Sequence, residues 1–172
     1  MTTIRTATTA DLPAVHALIE RSYRGQSARA GWTHEADLMQ GERTQPAVLA
    51  AIVADPLQRL LVLDDAAGSP VACVLLADAG GGVAYLGMLA VDPARQADGL
   101  GRQMIAAAES TARGFGATVM EMTVIAVRAE LIAYYQRRGY ALTGETRPFP
   151  DYVAQPDPPL TLVVMAKPLS ED

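Results

Sequence analysis

Residues 86–105 read LGMLAVDPARQADGLGRQMI and place two glycines, Gly99 and Gly101, one residue apart where an amphipathic run begins. At a helix start the first backbone N–H groups have no partner inside the helix, and the helix dipole favours negative charge there. Glycine lets the backbone approach an anion closely, and Arg95 and Arg102 add positive charge on either side. The chemistry that suits this spacing is the cradling of a phosphate or pyrophosphate by main-chain donors. Two familiar phosphate motifs fail on spacing. A G-x-x-x-x-G-K-[ST] loop needs a Lys-Ser or Lys-Thr pair, which the chain lacks. A G-x-G-x-x-G fingerprint needs a third glycine at Met104. The same two glycines would also serve a plain loop-to-helix turn, so spacing alone leaves both roles open.

Gln96-Ala97-Asp98-Gly99-Leu100-Gly101 resembles the Q/R-x-x-G-x-G/A signature of the GCN5-related N-acetyltransferase (GNAT) superfamily. A second stretch, VRAELIAYYQRRGY at 127–140, resembles that family's helix-then-strand motif ending in Y-x-x-x-G-F/Y, with Tyr135 on its tyrosine. The resemblance runs over about residues 3 to 168. It implies an acyl-CoA-dependent N-acetyltransferase on an α/β fold, with a mixed, mostly antiparallel central sheet flanked by helices. It implies acetyl-CoA as cosubstrate and no metal. The strand residues Leu89, Ala90 and Val91 would bind the pantetheine arm through their backbones. Gln96, Ala97, Asp98, Gly99, Leu100, Gly101 and Arg102 would wrap the pyrophosphate. Two positions depart from the family pattern: Asp98 stands where a basic or small residue is commoner, and Arg128 where asparagine is common.

Tyr135 then takes the role of general acid. Acyl transfer to an amine releases a thiolate, and a phenol with an ordinary pKa near 10 stays protonated at neutral pH to donate to it. The amine must arrive deprotonated, and Glu121, Glu35 and Asp37 are candidate proton acceptors. In such a fold the acceptor pocket forms from residues 23–44 and 147–159. Trp32 is a candidate apolar wall, Glu35 and Asp37 could hold a cationic amine, and Arg29 and Arg43 could hold a carboxylate. The expected acceptor is a primary amine of a small molecule or peptide. A different reading, a CoA-binding regulatory module without catalysis, draws on Asp98 and Arg128. An acyl donor longer than acetyl is a third. Dimers are common among proteins of this resemblance, so a homodimer accords with it.

These residues need elements to hold them. Ile4 to Ala7 alternates like a strand, and Leu12, Val15, Leu18 and Ile19 recur at helical steps to about Tyr23. A loop with a short helix from Thr33 follows, then a helix after Thr44-Gln45-Pro46. Arg59–Leu63 and Val71–Leu76 read as a hairpin, and Val83–Val91 as the strand that feeds the glycine turn. The helix from Gly99 stops at Gly114 or Gly116. Ala117–Ile125 reads as a strand and Ala129–Arg138 as a helix. Tyr140–Leu142 opens another strand, Arg147–Pro159 is proline-rich loop, and Leu160–Ala166 is the last strand. The order is βααβββαβαββ in one domain over 1–172.

Composition narrows the partners. The 172 residues carry a formal charge of -5 and a pI near 5.0, with 5% aromatics. That argues against nucleic-acid binding through phosphate neutralisation or base stacking. A single cysteine, Cys73, sits in an apolar run and reads as a core residue, and a chain with one cysteine has no internal disulfide. His16 and His34 have no cysteines nearby to complete a zinc site. The start, MTTIRTATTADLP, lacks the apolar segment of a signal peptide, and no run reaches membrane-spanning length, so a soluble cytoplasmic protein is expected.

Overall fold

A computed structural model describes residues 3–24, 38–39, 41–151 and 153–170. The chain alternates β1 (Thr3–Thr6), α1 (Leu12–Tyr23), α2 (Pro46–Ala54), β2 (Gln58–Asp64), β3 (Pro70–Gly80) and β4 (Val83–Val91). It continues with α3 (Leu100–Gly114), β5 (Val119–Ile125), α4 (Ala129–Gln136), β6 (Ala141–Pro148) and β7 (Thr161–Pro168). The seven strands of the described residues lie in one sheet in the order β1-β2-β3-β4-β5-β7-β6. Every neighbouring pair is antiparallel except β4 and β5. The expected mixed, mostly antiparallel α/β architecture is therefore present.

Period-two alternation explains why both faces of the sheet are covered. On β2 and β3, Leu61, Leu63, Ala72, Val74 and Leu76 face a core that α3 fills with Leu100, Met104, Ile105 and Ala108. The intervening Leu60, Val62, Cys73 and Leu75 face a second core with Val15, Leu18 and Ile19 of α1 and Leu49 and Ile52 of α2. Cys73 is fully buried there, and burial pushes its thiol up to about 12. Arg5 on β1 ties the edge of the sheet to the start of α1. Its guanidinium donates to Asp11 at 2.8 Å and to Asp64 at 2.7 Å. That contact, with a second bond from the Thr8 N–H, holds the Asp11 carboxyl well below the usual carboxylate range.

The one parallel pair among the described residues leaves an opening in the sheet. β4 and β5 pair only from Val83–Val119 to Tyr85–Glu121, then run on to Val91 and Ile125 without further pairing. Crevices at the carboxyl ends of diverging parallel strands are the usual place for ligands in open sheets. A bulge in β4 sharpens the divergence: Leu75 pairs with Gly87 and Cys73 with Ala90, so Met88 and Leu89 oppose the single residue Val74. Met88 has φ 48, a left-handed conformation that costs a β-strand residue about 1–2 kcal/mol.

One element differs from the sequence expectation. β6 continues to Pro148, into the stretch expected to be loop from Arg147, and its register slips between Leu142 and Thr146, where Gly144 adopts φ 86. Arg147 becomes a strand residue. No helix among the described residues is long and apolar enough to cross a membrane.

Candidate active site

β4 leaves the sheet at Asp92, whose carboxylate accepts from the Ala94 N–H at 3.0 Å and from Arg21 of α1 at 3.0 and 3.1 Å. This cap starts a 3-10 turn over Pro93–Asp98, and Gly99 closes it with φ 76 before α3 begins. A side chain at Gly99 would be strained because L residues disfavour that conformation. The first α3 bond runs from the Gln103 N–H to the Gly99 carbonyl, which leaves the N–H groups of Leu100, Gly101 and Arg102 without a helical partner. Gly101 has a different reason to be glycine. A Cβ there would lie 2.7 Å from the Tyr134 hydroxyl, which reaches across from α4.

Along this turn runs a cleft of about 240 Å³. Leu89, Ala90, Val91, Gln96, Ala97, Gly99 and Gly101 form one wall, and Arg128, Leu131, Tyr134, Tyr135 and Arg138 form the other. Seven of the ten sequence-expected cofactor positions are thus brought together. The side chains of the other three go elsewhere. Leu100 is buried in the core, Arg102 is exposed, and Asp98 is exposed and ion-paired to Arg95 at 3.0 Å. Asp98 thereby turns its charge onto Arg95, and the two cancel instead of facing the cleft. Ser22 and Tyr23 of α1 close the end of the cleft. The Tyr23 hydroxyl donates to the Leu89 carbonyl, and Ser22 Oγ lies 3.0 Å from the Val91 carbonyl. Two backbone acceptors of β4 are therefore already engaged by α1.

A second cavity of about 650 Å³ opens on the other side of the β4–β5 gap. Its walls come from Met39, residues 41–45 and Val48, the middle of β4, residues 122–125 of β5, and Phe149, Pro150, Val153 and Ala154 after β6. Both segments expected to form an acceptor pocket contribute to it. Trp32 and Glu35, along with Arg29 and Asp37, fall outside the described residues. Glu121 is among the lining residues of neither cavity, and its carboxylate lies 3.4 Å from Arg147.

Five residues border both cavities: Tyr23, Leu89, Arg128, Leu131 and Tyr135. Tyr135 is 6% exposed and packs edge-on between Tyr134 and Tyr140. Among the described residues its hydroxyl has no hydrogen-bond partner. Burial pushes the phenol well above its ordinary pKa, so it stays protonated across the neutral range. Arg128 is 5% exposed, with Nε 3.5 Å from Glu130. Arg138 stacks its guanidinium 3.5 Å from the Tyr134 ring centre, and its Nε is buried without a partner among the described residues. Among the described residues no three His, Cys, Asp or Glu side chains gather as a metal site.

Sequence reasoning passed over Leu131 and Arg138, took Tyr134 as packing, and gave Tyr23 only as the start of the expected acceptor segment. For α4 the signal was available: residues 128, 131, 135 and 138 follow one another at helical three- and four-residue steps. For Tyr23 no local pattern pointed to the cleft.

Residues 13–140 match the model of the acetyltransferase (GNAT) family. No curated protein sequence is significantly similar to the chain. Among solved structures, the ribosomal-protein-S18-alanine N-acetyltransferase from Escherichia coli is similar at TM-score 0.75 and 23% identity. That match covers 100% of this chain and 96% of that one. The Salmonella typhimurium protein yncA, solved with its cofactor acetyl-CoA, is similar at TM-score 0.72 and 21% identity, over 100% of this chain and 96% of that one. Nourseothricin acetyltransferase is similar at TM-score 0.70 and 22% identity, over 98% and 99% of the two chains.

Proposed function

Because the chain belongs to the acetyltransferase (GNAT) family, we propose that it moves an acetyl group from acetyl-CoA to a primary amine of a small molecule or peptide, with Tyr135 as general acid. The observation that carries this reading is the Tyr135 phenol, protonated, without a hydrogen-bond partner among the described residues, and shared by the two cavities.

The narrower cleft suits the cosubstrate. The N–H groups at the start of α3 and the glycine at 101, where a Cβ would collide with Tyr134, form a cradle for a pyrophosphate. The buried Nε of Arg138 is a further donor that a phosphate would satisfy. When bound, acetyl-CoA supplies a thioester that an amine attacks directly and whose sulfur leaves as a thiol. Tyr135 would donate its proton at that sulfur, and the proton that the nitrogen sheds on becoming an amide would restore the phenol, a role worth about 10²–10⁴-fold in rate. The wider cavity admits the acceptor. The acceptors in the names of the similar structures, a ribosomal-protein alanine and nourseothricin, fit the general class of amine without choosing within it.

Calorimetry with CoA and acetyl-CoA, followed by a thiol-release screen over amino acids, polyamines, aminoglycosides and peptides, tests the proposal. Binding of both cofactor forms with turnover on at least one amine is expected. Tight CoA binding with no turnover on any amine would overturn it in favour of a regulatory module.

A further inference from the structure

Beyond Tyr85, β4 has no ladder partner on its β5 side among the described residues, and between Gly87 and Ala90 it also slips against β3. Backbone in such a place must find other partners, or its polar groups stay unpaired at the edge of a cleft. It must also hold Met88 at φ 48, a conformation that side-chain-bearing residues disfavour. The bulge therefore needs support from outside the strand.

Side chains of α1 and β3 supply it. The Tyr23 hydroxyl donates to the Leu89 carbonyl. The Cys73 thiol donates to the Met88 carbonyl at 3.7 Å, and burial keeps that thiol protonated. The two residues that together oppose Val74 thus each receive a side-chain proton on their carbonyl. Ser22 Oγ stands 3.0 Å from the Val91 carbonyl and 2.7 Å from that of Leu18, with one proton to share between them. Tyr23, Cys73 and Met88 all pack in the core that α1 and α2 form on the sheet, so rigid elements carry the donors. A carbonyl oxygen has two acceptor positions, and the Tyr23 bond does not by itself exhaust that of Leu89. The two donors differ in one respect: Tyr23 borders both cavities, whereas Cys73 is fully buried and is among the lining residues of neither.

We propose that Tyr23 and Cys73 are positioning residues for the cofactor: their hydroxyl and thiol hold the carbonyls of Leu89 and Met88, and so keep the β4 bulge splayed before any ligand binds. The inference rests on the transfer reading above and deepens it, by naming the groups that prearrange the strand beside Tyr135. A ligand that meets a crevice already formed loses less free energy in ordering it. Cys73 thereby has a task that is neither nucleophilic nor packing alone.

Hydrogen exchange in the ligand-free protein reads the hold, and calorimetry with CoA reads its consequence. In Tyr23→Phe the amides of Gly87–Val91 should exchange about 2–10-fold faster, with those of β7 unchanged, and the CoA Kd should rise by a similar factor. Cys73→Ala should shift both in the same direction. Cys73→Ser, which keeps a donor, should bind CoA tighter than Cys73→Ala. Weaker binding in Cys73→Ala would act through the strand and not through a lost contact, because Cys73 borders neither cavity. Two variants at separate elements guard against misfolding of either. Unchanged exchange at Gly87–Val91 in both would overturn the proposal, and so would faster exchange with unchanged CoA affinity. Weaker CoA binding in Tyr23→Phe without faster exchange would also overturn it and make Tyr23 a direct contact. Equal CoA affinity of Cys73→Ser and Cys73→Ala would remove the thiol from the account. Failure of the unaltered protein to bind CoA would instead strike the transfer reading, while the exchange rates would still decide whether the two side chains hold the bulge.

Discussion

The two cavities that meet at Tyr135 are built from different materials. The cofactor cleft is made largely of main chain: the bulged end of β4, a capped 3-10 turn, a left-handed glycine and the open N-terminus of α3. The wider cavity is made of side chains, with three arginines, several aromatics and proline-rich chain drawn from seven separate stretches. Main-chain donors hold a phosphate whatever the neighbouring side chains are, so such a site tolerates an acidic protein. A side-chain cavity takes its charge and shape from a few positions, and those positions set which acceptor fits. On the proposed reading, one protein separates a generic task from a selective one, with Tyr135 at the seam.

This separation predicts unequal consequences for mutation. Tyr135→Phe strikes the seam and should lower kcat by about 10²–10⁴-fold on a verified acceptor, with CoA affinity nearly unchanged. A loss within twofold would remove Tyr135 from the chemistry. Gly99→Glu strikes the main-chain cleft alone. The left-handed φ of 76 and the added carboxylate should together weaken CoA binding about 10–100-fold by calorimetry. Unchanged affinity would mean that the turn is only a turn.

Smaller effects test the supports. Asp92→Ala removes the cap and the Arg21 pair that hold the end of β4 to α1. It should cost about 0.5–2 kcal/mol in chemical denaturation and raise the CoA Kd more than the Kd of acceptor analogues. Asp11→Asn lies far from both cavities and should lower stability by about 1 kcal/mol or less at neutral pH, with no change in either affinity. The sign of its pH dependence follows from the depressed folded pKa of Asp11. The native protein gains from this group above the unfolded value near 4 and loses that gain as pH falls toward the folded value. The gap between Asp11→Asn and the unaltered protein should therefore shrink below about pH 4.

The same difference in materials explains what the sequence made legible. The cofactor turn is contiguous, so the spacing of Gln96, Gly99 and Gly101 carried its geometry, and seven of its ten expected positions line the cleft. The acceptor cavity joins residues more than a hundred positions apart, from Tyr23 to Ala154, and one-dimensional spacing holds no record of where their side chains meet. Glu121 shows the limit well. It lies two residues from Thr123, which does line the cavity, yet its carboxylate meets Arg147, a residue expected to be loop that the structure places in β6. Alternating patterns fixed which residues enter the two cores, but Met88 at φ 48 and the slip beside it are tertiary features with no local signal.

A crystal structure with acetyl-CoA bound would test the junction directly. The pyrophosphate should rest on the backbone N–H groups of residues 100–102, and the thioester sulfur should lie within hydrogen-bonding reach of the Tyr135 hydroxyl. A cofactor bound away from that turn, or a sulfur remote from Tyr135, would contradict the account.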